Sequence, residues 1–69
     1  MIAKLKGIID NIGEDCCIID VNGVGYLVNM SSRSLSKLKQ GEFSSLLIET
    51  VIKEDSITLF GFQSPWEKE

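Results

Sequence analysis

The sequence predicts a small, mainly β domain in which five strands close into a barrel, with one short helix between the third and fourth strands. Three observations carry that expectation: five apolar runs alternate like strands, turn signals separate them, and a single stretch switches to helical spacing. The chain has 69 residues, enough for one domain. A chain of that length buries only about 60% of the surface its unfolded form exposes, so its core must be small and closed.

The elements follow in order. Ala3, Leu5 and Gly7 alternate with Lys4 and Lys6, and then Ile8 and Ile9 break the period beside Gly7, as a bent first strand does at a bulge. Such a strand can serve two neighbours. Asn11 to Asp15 reads as a turn, and Cys16-Cys17-Ile18-Ile19-Asp20-Val21 as a short strand rich in β-branched residues. Asn22-Gly23 is a strong two-residue hairpin signal, because both residue types tolerate positive φ. Val24, Tyr26, Val28 and Met30 then alternate along a third strand.

Next, Ser31 or Ser32 can cap a helix of about two turns. Leu35 and Leu38 fall on one face, Lys37 and Lys39 suit its C-terminal dipole, and Gly41 suits the left-handed position after it. From Glu42 to Lys53 the chain is strand-like again, with Leu46, Ile48 and Ile52 on one face and Leu47 and Val51 on the other. Ser56 to Phe62 forms the last strand. Three strands, a helix plugging one end, then two strands is the order of the oligonucleotide/oligosaccharide-binding barrel. A small open sandwich is the alternative, and the position of the helix argues against it.

Composition removes several classes of function. The chain is 43% hydrophobic and 25% charged, an ordinary globular balance, and no apolar run approaches the roughly 20 residues that span a bilayer. The alternating N-terminus does not read as a signal peptide, so a cytoplasmic location without membrane attachment is expected. There is no histidine, so imidazole-based triads are excluded, and no GxxxxGK phosphate loop occurs. Cys16 and Cys17 are adjacent and point to opposite faces of a strand, which disfavours a disulfide between them and places at least one in the core. Neither a metal nor another cofactor is expected. The net charge of −3 is the wrong sign for a domain whose main task is to grip phosphates.

The most informative segment is Val51 to Phe62, which sets Glu54 and Asp55 between two apolar runs, at an exposed hairpin tip. As turn chemistry alone the pair is ordinary. Adjacent carboxylates on one turn lack the opposed geometry of acid/base catalysis, so no enzyme activity is expected of this chain. Phe60 and Phe62 share a strand face, where core or interface packing fits better than base stacking. Lys4 and Lys6 share another face and could reach phosphates, although solvated lysines are commonplace on strands. The N-terminal apolar residues, Tyr26 and Leu27 are candidates for an interface. Finally, Ser64-Pro65-Trp66-Glu67 reads as a helix start, dividing the chain into a barrel over 1–63 and the beginning of a linking helix over 64–69.

Met1-Ile2 through Gly7-Ile8, the run Val21-Asn22-Gly23-Val24-Gly25-Tyr26-Leu27-Val28, and Lys53-Glu54-Asp55-Ser56 through Leu59-Phe60-Gly61-Phe62 resemble, in order and spacing, the N-terminal domain of the RuvA family. These are the Holliday-junction-binding subunits of the bacterial branch-migration helicase. The resemblance covers essentially the whole chain and implies a non-catalytic role in DNA recombination, repair and the SOS response. It implies a homotetramer that holds a four-way DNA junction open. The implied partners are the ATPase RuvB and the resolvase RuvC, and an absent helix-hairpin-helix domain would hold the phosphates. The family's acidic pin maps onto Glu54 and Asp55, with Lys53 beside it where the family places a basic residue. Two other readings stand beside this one: a general binder of single-stranded nucleic acid, and a purely structural oligomerisation module.

Overall fold

The computed structural model describes residues 2–63. Five strands, β1 (Lys4–Ile12), β2 (Cys16–Val21), β3 (Val24–Asn29), β4 (Phe43–Lys53) and β5 (Ser56–Phe62), are interrupted by one helix, α1 (Ser32–Leu35). They close into a barrel in the order β1-β2-β3-β5-β4, and β4 returns to β1. All neighbours are antiparallel except β3 and β5, which meet in parallel at Asn29 and Phe60. The Asn29 side-chain amide ties that short seam by donating to the Leu59 carbonyl at 3.2 Å. The expected barrel, with its helix between the third and fourth strands, is what the chain forms. The helix start expected at Ser64 to Glu67 lies outside the described residues.

Alternation along each strand fills the interior. Leu5 and Ile9 of β1, Cys17 and Ile19 of β2, Val28 of β3, Leu46 and Ile48 of β4 and Leu59 of β5 make one buried cluster, closed at one end by Met30, Leu35 and Leu38. Burying each such side chain contributes about 1.5–3 kcal/mol, and this cluster is where a chain this short finds its stability.

β1 does serve two neighbours: Lys4–Ile8 pair with β4, and Ile8–Ile12 with β2. It can do so because Gly7 lies directly against the Asp20 backbone, where a Cβ would overlap the carbonyl oxygen. The irregularity falls between Ile9 and Asn11 rather than at Ile8–Ile9. Ile9 keeps the inward alternation and is fully buried, while Ile8 faces outward opposite Phe43 and is 42% exposed. Two adjacent isoleucines therefore do not break the period. The skipped residue is Asp10, whose polar side chain lies in water.

The helix is shorter than the two turns expected. Ser31 caps it, its hydroxyl accepting from the Ser34 amide at 3.2 Å, but the helix ends at Leu35. Lys37 and Leu38 continue with tighter i→i−3 bonds to Ser34 and Leu35, which is enough to bring Leu38 into the core. Lys37 and Lys39 lie beyond the helix end, and the basic residue within its last turn is Arg33. Gly41 has the expected positive φ, 90°, but it serves the turn into β4, where its amide donates to the Ile9 carbonyl at 2.7 Å.

Cys17 is buried in the cluster with its thiol 3.7 Å from the Met30 sulfur, and Cys16 is half-buried; both are free thiols. Burial, with Cys16 next to it a lesser cause, pushes the Cys17 thiol above its ordinary value, so it stays protonated and unreactive at neutral pH.

Candidate nucleic-acid interface

β4 is much longer than its partnership with β1. Only Phe43–Leu47 pair with β1, and two further contacts, the Ile48 amide on the Ala3 carbonyl and the Thr50 hydroxyl on the Ile2 carbonyl, end that edge. Beyond Thr50, among the described residues, β4 pairs with β5 alone, through Val51–Thr58, Ile52–Ile57 and Lys53–Ser56. These three rungs make a two-stranded arm reaching roughly 10 Å past the barrel wall. Residues 52–57 are all exposed.

The tip of the arm is the two-residue loop Glu54–Asp55. The chain's other two-residue hairpin loop gives a direct comparison. Asn22 and Gly23 have φ of 54° and 89°, a left-handed pair that the backbone demands, and the Gly23 amide is fixed at 2.7 Å on the Asp20 carboxylate. Among the described residues Asn22 is the only non-glycine with positive φ, so Glu54 and Asp55 turn the chain with negative φ. A turn of that kind accepts most residue types. Backbone geometry therefore does not require two acids at this tip.

The other sequence-predicted residues sit on the outer surface. Paired residues share a face, so Lys6 with Ser45, Lys4 with Leu47, Glu49, Val51 and Lys53 follow one outward line from barrel to arm. Lys53 joins Glu54 and Asp55 at the tip, whereas Lys4 stands opposite Leu47, six residues or roughly 20 Å back along β4. The lysines are aligned with the arm but are not gathered at its end.

Phe60 and Phe62 also face outward. They are not part of the core cluster, and with Asp15, Asn29 and Met30 they line a cleft of about 390 Å³ at the end of β5 away from the arm. Of the expected interface residues, Leu27 is 56% exposed, but Tyr26 packs against the core. Sequence reasoning passed over two exposed apolar pairs, Ile8 with Phe43 and Ile52 with Ile57. The excess length of β4 over β1 was the available signal for the second. Among the described residues no three His, Cys, Asp or Glu side chains converge as a metal site would require, and no buried side-chain nitrogen or oxygen lacks a partner.

A closed five-strand barrel with its helix between strands three and four and an acidic arm at one rim is an oligonucleotide/oligosaccharide-binding barrel elaborated on its last hairpin. Residues 1–61 match the family model described as the RuvA N terminal domain. The chain is 57% identical over 70 residues to a "Holliday junction branch migration complex subunit RuvA" of Methylorubrum populi, covering 100% of this chain and 34% of that protein. It is 51% identical over 69 residues to the protein of the same description from Paramagnetospirillum magneticum, covering 100% and 32%. The chain belongs to the RuvA N-terminal domain family. It spans about a third of the length of these relatives.

Proposed function

We propose that this chain acts as the N-terminal domain of a Holliday-junction-binding subunit and presents Glu54 and Asp55 as an acidic pin at the junction crossover. One observation carries the reading. The chain builds an arm beyond its barrel and ends it in two carboxylates that the turn itself does not need.

The physical effect of such a pin is repulsion. If four copies bring their tips together at a crossover, eight carboxylates face the DNA strands where base pairs are exchanged. Each carboxylate–phosphate pair at about 8 Å repels by roughly 0.5 kcal/mol in water, within the screening length of about 8–10 Å. Over many pairs with solvent partly excluded, the sum reaches several kcal/mol. Duplex DNA is then kept from settling across the centre, and separated strands are guided outward toward Lys53, Lys4 and Lys6 on the outer line. A net charge of −3 fits this role, because repulsion at one point works only when other parts of an assembly hold the DNA.

On this reading the chain is non-catalytic and cytoplasmic, self-associates as a tetramer, and works beside RuvB, which supplies ATP hydrolysis, and RuvC, which resolves the junction. Residues 64–69 begin the connection to a phosphate-gripping domain. A single-strand binder would instead place aromatics over a basic groove. Among the described residues, Phe60 and Phe62 line a cleft whose one charged side chain is Asp15, which speaks against that alternative.

The test is the mass of the 69-residue protein in solution, followed by its binding to four-way, duplex and single-stranded DNA at low salt. Weak binding to all three is expected. Tight binding to single strands would overturn the pin reading.

A further inference from the structure

The arm has a third surface besides its acidic tip and its Lys53 side. Ile52 and Ile57 are direct cross-strand partners on the face that, further down β4, carries the buried Leu46 and Ile48. Past the barrel none of the described residues covers that face, and the two side chains are 64% and 69% exposed. Strand propensity does not explain them, because the neighbouring Thr50 and Thr58 are β-branched as well and remain polar. Nor does the tip require them, since its turn is of an undemanding type. The result is an apolar plate separated from two carboxylates by the single Lys53–Ser56 rung.

We infer that the Ile52–Ile57 plate receives the faces of unpaired nucleobases at the junction crossover, a role that rests on the pin reading above. Charge selects this occupant. Phosphates are repelled by Glu54 and Asp55 and attracted to Lys53, which lies on the opposite face at the last rung. A strand meeting the arm therefore turns its backbone to the Lys53 side, and the only part of a nucleotide suited to the inner face is the uncharged base. Isoleucine is among the apolar side chains that wedge between base steps. It offers no hydrogen bond, so the contact carries no sequence preference, as a crossover that passes through any sequence requires. The carboxylates keep backbones away and the plate stabilises bases that have left their pairs.

The experiment uses the 69-residue protein with the δ1 methyl groups of its nine isoleucines isotopically labelled and its amides observed in parallel. The probes are a four-way junction with mismatched, unpaired nucleotides at its centre and a fully paired duplex of the same base composition. The Ile52 and Ile57 methyl signals are expected to shift with the unpaired-centre junction and not with the duplex. Replacing both by threonine (Ile52→Thr with Ile57→Thr) keeps the β-branched shape at exposed positions. Its amide spectrum should retain the barrel, and its affinity for the unpaired-centre junction should fall about tenfold, equivalent to about 1.4 kcal/mol, with duplex binding unchanged. Shifts at Glu54 and Asp55 without shifts at the two isoleucines would overturn the plate and leave the pin standing. If the unpaired-centre junction moves barrel signals and neither isoleucine responds, the plate fails, whereas the pin, which acts by repulsion, fails only if neutralising Glu54 and Asp55 leaves DNA binding unchanged. Concentration-dependent shifts of the two methyl groups without DNA would assign the plate to a second copy of the chain and overturn the inference.

Discussion

Replacing Gly7 by alanine tests the geometry that closes the barrel. A Cβ at position 7 would overlap the Asp20 carbonyl oxygen, lie 2.9 Å from its carbon and 3.1 Å from a Val21 methyl. The first two neighbours are backbone, so no rotamer change relieves the overlap, and β1 must move off β2 beside the Ile8–Asp20 pairing. Overpacking of this kind costs about 1–3 kcal/mol, offset by about 0.4–1 kcal/mol from the reduced freedom of the unfolded chain. The net loss is about 1–2 kcal/mol, out of a total that for this length is about 3–10 kcal/mol. In urea unfolding followed by far-ultraviolet circular dichroism, with a slope of about 1 kcal/mol/M, the midpoint should fall by about 1–2 M. Lys6→Ala, one residue away and exposed, serves as the control and should stay within about 0.5 kcal/mol of the parent. A Gly7→Ala protein as stable as the parent would refute the close β1–β2 crossing.

Leu46→Ala, at a fully buried site, should cost about 2–5 kcal/mol by leaving a cavity, whereas Ile57→Ala on the arm should cost under about 1 kcal/mol; both are read by the same unfolding midpoints. Equal losses would mean that the arm is part of the core. Stability should also fall above the ordinary thiol range, starting from about pH 9. The raised folded-state value of Cys17 means that the unfolded chain gives up its proton first, so it holds fewer protons and rising pH favours it. The slope cannot exceed about 1.4 kcal/mol per pH unit for one group, and Cys17→Val should flatten it. An unchanged slope in the variant would assign the effect elsewhere.

Much of the fold was legible because period-2 alternation and turn chemistry act locally. Cys17, Ile19, Val28, Leu46 and Leu59 enter the core as alternation dictates, and Asn22-Gly23 turns with the positive φ its residue types announce. The errors arose where tertiary contact decides. Ile8 looks like a core residue by type, but its strand neighbour Phe43 is on the outside and covers it only in part. The helix stopped early because Leu38 reaches the core through tighter turns and needs no second α-helical turn. At the arm the identity of the tip residues was readable, but their standing away from the barrel was not. It depends on β1 ceasing to pair at Leu47 while β4 continues to Lys53. For the same reason Ile52 was placed on the right face and yet is not buried.

The central claim is that the charge on the arm, and not charge in general, opposes duplex DNA. The chain contains its own control, because Glu14 and Asp15 form a second exposed acidic pair in the turn between β1 and β2. Glu54→Gln with Asp55→Asn, and separately Glu14→Gln with Asp15→Asn, each change the net charge from −3 to about −1. Duplex affinity at low salt, followed by NMR titration, should rise about tenfold for the arm variant, and by markedly less for the turn variant. The advantage should shrink as salt is added. Equal gains from the two pairs would contradict the account, since Glu54 and Asp55 would then be two acids among ten rather than a pin.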